Sequence, residues 1–248
     1  MQSKIFVITA TYNCENFLPR LIQSLQKQTD NNFTWIIVDG NSTDGTIEII
    51  KNICNIKVQI IIEPDFGIYD ALNKAVKKID NGYYLTVGAD DILDKRAISN
   101  FRSAMVESNG SDLIAAAYLV NDRVCYPGME LGWLYGMPGI ASSHSVALLI
   151  NKSLHEKIGL YTKKLPIAAD QLFVLMALKK GATIFRSNFI AGRFSTKGTS
   201  GVDQIGMVTE LFRVQVLIGE SFMIQFFLLS ARLIKIRVLA FIGAGKIV

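Results

Sequence analysis

Two adjacent aspartates, Asp90 and Asp91, are the clearest candidates for chemistry in this sequence. They follow the apolar, strand-like segment 83–87, and neighbouring carboxylates at the end of a buried strand repel each other unless a cation lies beside them. Hard oxygen ligands favour Mg²⁺ or Mn²⁺, which commonly complete their shells with substrate phosphates. The pair therefore indicates a metal site for a phosphate-bearing substrate. The alternative is that Asp91 caps the following helix and Asp90 is solvated.

Each of the first four apolar, strand-like segments is followed by polar residues of the kinds that form turns. These polar stretches are residues 9–13, 39–44, 63–67 and 88–91. Because the carboxyl ends of parallel strands meet at one edge of a sheet, we expect the chemistry of the protein at that edge. In the second stretch, Asp39 is either a turn residue or a hydrogen-bond acceptor for a base or ribose, and Asp44 caps the next helix.

The elements that must position these residues alternate between short apolar strands and amphipathic helices. Strands are predicted over residues 5–10, 33–38, 57–62, 83–87, 112–120, 145–150 and 183–190. Helices are predicted over residues 17–25, 44–53, 68–79, 96–107 and 170–179. This alternation predicts an α/β fold with a doubly wound, mostly parallel sheet flanked by helices. Two glycine-rich segments, 127–139 and 192–201, are predicted to be loops.

The composition excludes two classes of protein. Half of the 248 residues are hydrophobic and 19% are charged, which excludes an intrinsically disordered chain. The formal net charge of +5 comes from 26 basic and 21 acidic residues. Residues 221–248 hold four basic residues and no acidic one, so the first 220 residues carry only +1. A nearly neutral body argues against a nucleic-acid partner, which requires a basic stripe across the fold.

The basic, apolar tail over residues 221–248 is predicted to be helical. Its longest uncharged run, residues 221–231, has eleven residues, whereas a membrane-spanning helix needs about 20. Arg232, Lys235 and Arg237 interrupt the remainder. We therefore expect a helix that lies on a membrane surface, with its basic side chains near anionic lipids. The alternative is a helix that packs against the folded body.

The cysteines and the N-terminal residues bear on the cellular compartment. Cys14, Cys54 and Cys125 are odd in number and lack the spacing of a disulfide framework or a structural zinc site. Residues 1–10 show no basic segment followed by a long apolar stretch and a cleavage site. We expect a cytoplasmic protein that binds peripherally to the inner face of the cell membrane. The sequence leaves the oligomeric state open.

Five segments of the chain, taken in order, resemble the family 2 glycosyltransferases with the GT-A fold. The matching segments are residues 7–13, 21–29, 37–46, 63–74 and 88–91. The resemblance covers residues 4–95, with a thinner continuation to about 195. It implies metal-dependent, inverting transfer of a sugar from a nucleotide-diphosphate donor, with UDP as the expected nucleotide. The implied acceptor is a hydroxyl of a saccharide or a lipid-linked molecule in bacterial surface polysaccharide biosynthesis.

The resemblance also implies roles for individual residues. Those implied to line the nucleotide and donor site are Thr9, Thr11, Tyr12, Asp39, Asp65, Asn73 and Asp90. Asp39 would bind the base, Asp90 would contact ribose or sugar, and Asp91 would coordinate Mn²⁺ or Mg²⁺ on the diphosphate. The sequence reads Gly-Ala-Asp-Asp and lacks the literal Asp-x-Asp, so we expect one direct protein ligand to the metal.

The family places a general base at the start of a helix after the metal motif, and Asp170 matches that position. A carboxylate in a partly desolvated site can have its pKa raised toward the working pH; the alternative is an ordinary helix N-cap. The preceding residue is Ala169, whereas Glu is the commonest form in the family. His144 resembles a histidine that a subset of the family has near the acceptor, although a lone histidine is more often structural. His155 is expected at the surface.

The two predicted loops and the tail complete the organisation of the chain. Arg193 and Lys197 either clamp the diphosphate or belong to a solvated connector. Trp133 and Tyr135 could form an apolar platform for a sugar or a lipid. Residues 1–201 are predicted to form the catalytic GT-A domain, and residues 202–248 a helical, membrane-associating segment.

Two functions other than sugar transfer are alternatives for this sequence. A nucleotidyltransferase that makes the activated sugar has similar needs, but it requires a glycine-rich phosphate loop with a basic residue after the first strand. Residues 9–13 provide neither. The second alternative is an inactive membrane-bound scaffold, against which the intact Asp39, Asp90, Asp91 and Asp170 argue.

Overall fold

One mixed sheet with helices on both faces forms the body of the protein in a computed structural model that describes residues 3–129, 131–142, 144–195 and 203–241. The strands are β1 Ile5–Thr11, β2 Thr34–Asp39, β3 Val58–Ile62, β4 Tyr83–Thr86, β5 Ile92–Leu93, β6 Leu113–Val120, β7 Arg123–Cys125, β8 Leu148–Asn151 and β9 Ile184–Arg193. The helices are α1 Leu18–Gln26, α2 Thr46–Lys51, α3 Ile68–Val76, α4 Ala97–Glu107, α5 Gly132–Tyr135, α6 Leu154–Ile158, α7 Ala169–Lys179, α8 Gln204–Leu217 and α9 Phe222–Phe241. Two 3-10 turns span Met137–Gly139 and Ser145–Ala147.

The order of the strands across the sheet brings four polar turns to one edge. The order is β3-β2-β1-β4-β8-β6-β9-β5, and β7 pairs with β6. Strands β1 to β4 are parallel to one another, and β9 is parallel to β6. Strand β8 runs antiparallel to both of its neighbours, β4 and β6. The predicted α/β fold class is confirmed, and the turns after β1, β2, β3 and β4 lie at the same edge.

Hydrophobic cores cover both faces of the sheet. In β1, Ile5 and Val7 belong to one cluster, whereas Phe6 and Ile8 belong to the other. Helices α1 and α4 cover the first face, and α3 and α7 cover the second. Strands buried on both faces carry continuous apolar runs, which is the pattern by which the sequence predicted them.

Several segments differ from the prediction. The short strands β5 and β7 were not predicted, and β9 continues through residues 192–193 of a predicted loop. The strand predicted over residues 145–150 begins with a 3-10 turn, and only Leu148–Asn151 joins the sheet. The loop predicted over residues 127–139 contains α5 and a second 3-10 turn. This segment is closed by backbone hydrogen bonds from Gly128 N to Ala141 O (2.8 Å) and from Leu131 N to Gly139 O (2.9 Å). Its glycines permit close contact between backbones.

The two C-terminal helices pack against this segment. The side-chain amide of Gln215, on α8, donates to the carbonyl of Gly132 (2.6 Å). On α9, Gln225 donates to Trp133 O (2.7 Å) and Arg232 donates to Leu134 O. None of the helices in the described residues has the length and apolar character needed to span a membrane.

The close backbone packing predicts a sharp difference between two glycine variants. A Cβ added at Gly139 would lie 2.3 Å from the carbonyl oxygen of Leu131, so we expect Gly139→Ala to lower the free energy of unfolding by about 1–3 kcal/mol. Gly132→Ala is the control, because its Cβ would meet only ordinary contacts with Ile140 at 3.6–3.8 Å. Urea unfolding measures both. Equal stability of the two variants would mean that the segment is loosely packed.

Candidate active site

A cleft of about 180 Å³ opens at the carboxyl edge of the sheet, beside the ends of β1 and β4 and the start of α7. It is lined by four of the side chains that the sequence predicted for the site. These are the predicted base Asp170, the predicted metal ligand Asp91, the predicted donor contact Asp90 and the possible acceptor contact His144. Residues 194 and 195, which directly follow β9, and Met207 of α8 form further parts of its wall.

Asp91 is buried at the floor of the cleft, with 4% of its surface exposed. Its Oδ2 accepts a hydrogen bond from Gly88 N (3.0 Å), and its Oδ1 accepts one from Ser195 N (2.9 Å). Burial raises the pKa of Asp91 to about 7, the charge of Asp90 adds to the rise, and the two amide donors oppose it. Asp91 does not cap the next helix, since α4 begins at Ala97.

The oxygens of the aspartate pair converge over Gly88. A Cβ at Gly88 would lie 3.0 Å from Asp90 Oδ1 and 3.0 Å from Asp91 Oδ2, so a larger residue would displace the pair. Two convergent carboxylate oxygens are the donors that Mg²⁺ and Mn²⁺ prefer. The described residues contain no group of three or more His, Cys, Asp or Glu side chains that could hold a metal ion. A cation here would therefore take most of its ligands from substrate and water.

Asp170 is the second residue of α7 and faces the same cleft. Its Oδ1 accepts hydrogen bonds from Tyr69 OH (2.8 Å) and from Gln171 N (2.8 Å). Burial raises the pKa of Asp170; the bonds from Tyr69, from Gln171 and from its own backbone amide oppose this rise, and the negative charge of Glu210 adds to it. Its position in the cleft and its raised pKa suit a general base.

Tyr69 is a site residue that the sequence did not reveal. It lies in the first turn of α3, and its hydroxyl is within 2.8 Å of both Asp170 Oδ1 and the carbonyl of Ile167. Burial, together with the nearby charge of Asp170, raises the pKa of Tyr69 well above its usual value, so the hydroxyl remains a donor. An aromatic residue on the apolar face of a helix is normally assigned to the core, and no signal in the sequence alone distinguishes Tyr69.

At the ends of β1, β2 and β3, the same edge of the sheet brings Tyr12 and Asp65 together across Gly40. A Cβ at Gly40 would lie 2.6 Å from Asp65 Oδ2 and 3.3 Å from Tyr12 Cδ2. The Tyr12 ring is 64% exposed, and Asp65 Oδ1 accepts a hydrogen bond from Gly67 N (2.9 Å). An exposed ring beside a carboxylate can stack on a base while the carboxylate accepts hydrogen bonds.

Asp39 and Thr11 form the turn that supports this surface. Asp39 is fully buried, and its Oδ2 accepts hydrogen bonds from Thr11 Oγ1 (2.7 Å) and Ser42 Oγ (2.7 Å). Its Oδ1 accepts one from Ser42 N (2.7 Å). The turn role considered for Asp39 is therefore present in the structure, while contact with a base stays a prediction. Asp44 accepts from Thr46 N (3.0 Å), at the first residue of α2.

Two residues implied to bind the donor face the protein interior. Thr9 is fully buried, and its hydroxyl accepts a hydrogen bond from the Trp35 indole (3.0 Å). The side-chain amide of Asn73 donates to Tyr161 O (2.8 Å) and accepts from Tyr161 N (2.9 Å). This geometry does not fit a donor contact for either residue. Asn73 instead holds the segment that leads to α7.

The two histidines have different environments. His144 lines the cleft, with its ring stacked on Phe194 at a centroid distance of 3.4 Å. Burial lowers the pKa of His144 to about 4, so the ring is neutral at physiological pH and can hydrogen-bond a hydroxyl. The surface position predicted for His155 is wrong. His155 is buried, stacks on Phe173 and lies 2.7 Å from Tyr84 OH.

Of the two side chains predicted to bind the diphosphate, Arg193 lies within the described residues. Arg193 Nη1 lies 2.8 Å from Asp122 Oδ1 in a solvent-exposed ion pair. Lys197 falls outside the described residues. A role for these two side chains in binding a diphosphate stays a prediction.

Solved structures with the same topology have the GT-A fold. The mannosyltransferase PcManGT from Pyrobaculum calidifontis, in complex with GDP-Man and Mn²⁺, aligns with a TM-score of 0.71 and 13% identity over 100% of this chain and 77% of that one. TarS from Staphylococcus aureus, in complex with UDP-GlcNAc, aligns with a TM-score of 0.64 and 21% identity over 93% of this chain and 71% of that one. At these identities the likeness establishes the fold, so this chain has the GT-A fold.

The chain belongs to glycosyl transferase family 2, whose model matches residues 6–129, half of its length. A relative from Mycobacterium bovis, named PGL/p-HBAD biosynthesis glycosyltransferase, is 26% identical over 187 residues, 73% of this chain and 72% of the relative. The poly(ribitol-phosphate) beta-N-acetylglucosaminyltransferase TarS from S. aureus is 31% identical over 116 residues, 45% of this chain and 20% of TarS. The protein is a glycosyltransferase, and these relatives give no support to a nucleotidyltransferase or an inactive scaffold.

The Tyr69–Asp170 contact predicts a pH effect. Because the hydrogen bond from Tyr69 holds the pKa of Asp170 down, Tyr69→Phe should raise that pKa. The acid limb of kcat should then move to higher pH, with turnover below neutrality reduced roughly 10-fold. The control is Tyr161→Phe, which removes a buried hydroxyl that bonds Tyr84. An acid limb that stays in place in Tyr69→Phe, or that moves equally in both variants, would contradict this role.

Proposed function

We propose that the protein transfers a sugar from a nucleotide-diphosphate donor to a hydroxyl of a saccharide or lipid-linked acceptor, with inversion at the anomeric carbon. The observation that carries this proposal is that Asp90, Asp91 and Asp170 line one cleft at the carboxyl edge of the sheet. UDP is the first candidate for the nucleotide, because TarS has been solved with UDP-GlcNAc. Bacterial surface polysaccharide biosynthesis is the proposed setting, since TarS is named for its action on poly(ribitol-phosphate).

Asp170 supplies the base in this reaction. Its carboxylate takes the proton of the acceptor hydroxyl as that oxygen attacks the anomeric carbon, and the bond between the sugar and the diphosphate breaks on the opposite face. The electron pair leaves with the nucleoside diphosphate. Tyr69 holds Asp170 Oδ1 in place. The raised pKa makes Asp170 a stronger base than a solvated aspartate.

Asp91, assisted by Asp90, is proposed to hold Mn²⁺ or Mg²⁺. The convergence of their oxygens over Gly88 and the raised pKa of Asp91 both fit a site that a cation stabilises. When bound, such a cation offsets the negative charge that develops on the leaving diphosphate. Asp90 is also proposed to contact ribose or sugar, and Tyr12 and Asp65 are proposed to hold the base. His144 is proposed to contact the acceptor as a neutral group.

Two aspartate variants separate base chemistry from metal-dependent binding. Asp170→Asn should lower transfer by on the order of 10²–10⁴-fold while donor binding with Mn²⁺ stays near normal. Asp91→Asn should lower transfer and also weaken donor binding, as should removal of the metal with EDTA. Radiolabelled sugar transfer and titration calorimetry with UDP-sugars measure the two effects.

Asp80→Asn is the control for these variants, because Asp80 is exposed and lies outside the cleft lining. Near-normal turnover of Asp170→Asn would overturn the assignment of the base. Unchanged donor binding in Asp91→Asn would overturn the assignment of the metal ligand.

We also propose that α9 binds the membrane surface where a lipid-linked acceptor would lie. At 100° per residue, Met223, Phe227, Ile234, Val238 and Phe241 form one stripe, and all five are exposed. The residues that anchor α9 to α5, Gln225 and Arg232, lie on the opposite side of the helix. Lys235 and Arg237 flank the stripe, where they can meet anionic headgroups.

This arrangement combines both interpretations of the tail, since α9 packs on the body by one side and exposes an apolar stripe on the other. The division predicted from the sequence assigns catalysis to residues 1–201 and membrane association to residues 202–248, and the membrane role proposed from the structure belongs to α9. The corresponding location is the inner face of the cell membrane, reached from the cytoplasm. Exposed Trp133 lies on α5, next to the anchored side of α9.

Vesicle binding tests the stripe. Wild-type protein should sediment with phosphatidylglycerol vesicles more than with phosphatidylcholine vesicles, and less at high salt. The double variant Phe227→Gln and Ile234→Gln, at positions 65% and 64% exposed, should bind at least 10-fold more weakly. The control is Val106→Gln, at a position 76% exposed on α4. Absence of wild-type binding, or equal loss in the control, would contradict the proposal.

A further inference from the structure

Glu210 is a buried carboxylate that lies outside the lining of the cleft. It lies on α8, and 6% of its surface is exposed. Its Oε2 accepts hydrogen bonds from two successive backbone amides, Ile167 N (3.0 Å) and Ala168 N (2.8 Å). A buried carboxylate is costly unless donors satisfy it, so these two bonds fix both the glutamate and the loop that it holds.

The loop held by Glu210 leads directly to the proposed base. Ala168 precedes the first residue of α7 and provides no side-chain cap, and Asp170 is the second residue of that helix. The carbonyl of Ile167 lies 2.8 Å from the hydroxyl of Tyr69, which also contacts Asp170. Glu210, the loop, Tyr69 and Asp170 thus form one connected set of hydrogen bonds.

The start of α8 packs closely on the same loop. A Cβ at Gly206 would lie 2.8 Å from Ile167 Cδ1, which shows that this residue of α8 lies directly against the loop. Met207 lines the cleft, and its sulfur is 3.9 Å from the side-chain nitrogen of Gln171. Helix α8 therefore contributes both to the wall of the cleft and to the support of the loop.

We propose that Glu210 is a positioning residue for Asp170, so that the catalytic unit extends beyond residue 201 to include α8. This inference rests on the proposed function, in which Asp170 removes the acceptor proton. Glu210 acts through the backbone amides of residues 167 and 168 and touches neither substrate.

The charge of Glu210 gives this role a distinct pH signature. Its negative charge contributes to the raised pKa of Asp170, so removing the charge should lower that pKa. The other titratable groups near Asp170 are three buried tyrosines, Tyr69 from α3, Tyr84 from β4 and Tyr161, whose pKa values are raised by burial and by the charge of Asp170. The aspartate pair and neutral His144 lie across the cleft. None of these changes in a Glu210 variant, which isolates the contribution of the glutamate.

Two variants separate the hydrogen bonds from the charge. Glu210→Gln keeps an oxygen that can accept from both amides, so we expect kcat within about 3-fold of wild type and an acid limb of kcat shifted to lower pH. Glu210→Ala removes the acceptor as well, and we expect kcat to fall at least 10-fold with little change in donor KM. Glu156→Ala, an exposed glutamate on α6, is the control and should match wild type.

Hydrogen exchange read by mass spectrometry tests the contact between Glu210 and the amides of residues 167 and 168 without a measurement of activity. The peptide that contains residues 166–170 should lose protection in Glu210→Ala and keep it in Glu210→Gln. Normal kcat with an unshifted acid limb in both variants would overturn the positioning role, even if protection changes. If wild type transfers no sugar while protection changes as expected, the proposed function fails, and the contact between Glu210 and residues 167–168 remains as a structural contact. Should Glu210→Ala fail to fold, the acid limb of Glu210→Gln decides.

Discussion

The constraint on which this structure depends is the burial of several negative charges within one small region. Asp91 and Glu210 are buried and Asp170 is half-buried, and each is met by neutral donors from the protein. Neutral donors satisfy the hydrogen-bonding capacity of a carboxylate but leave its charge uncompensated. The raised pKa values of Asp91 and Asp170 are the consequence. The cleft therefore favours a cation beside Asp91 and the uptake of a proton by Asp170.

The donors that meet these carboxylates come from parts of the chain that are far apart in sequence. Ser195, which donates to Asp91, follows β9, and Tyr69, which donates to Asp170, lies in the first turn of α3. Ile167 and Ala168, which donate to Glu210 of α8, lie just before α7. The antiparallel insertion of β8 beside β4 brings the second half of the sheet next to the first. This placement sets α7 and the residues after β9 around the aspartate pair. A loss of any one of these elements would remove a donor from a buried charge.

Periodicity and turn chemistry predicted the sheet, the helices that flank it and the polar edge, because those features depend on local sequence. What the sequence could not predict depends on the direction of side chains and on tertiary contacts. Thr9 alternates into the core beside Trp35, and Asn73 turns toward Tyr161. Tyr69 and Glu210 act through partners about 100 and 40 residues away. Helix α5 was missed because its glycines resemble a flexible loop, although they serve close backbone packing.

The capping of α5 by side chains from α8 and α9 has a consequence for how the protein forms. A helix of four residues cannot satisfy its own carbonyls, and short helices are unstable in isolation. Its three successive carbonyls are met by Gln215, Gln225 and Arg232. During synthesis, the sheet formed by the first half of the chain can collapse early, whereas α5 and the loop before α7 must wait for residues 204–232. The cleft therefore matures after the body, and a partly made chain holds its aspartate pair without a positioned base.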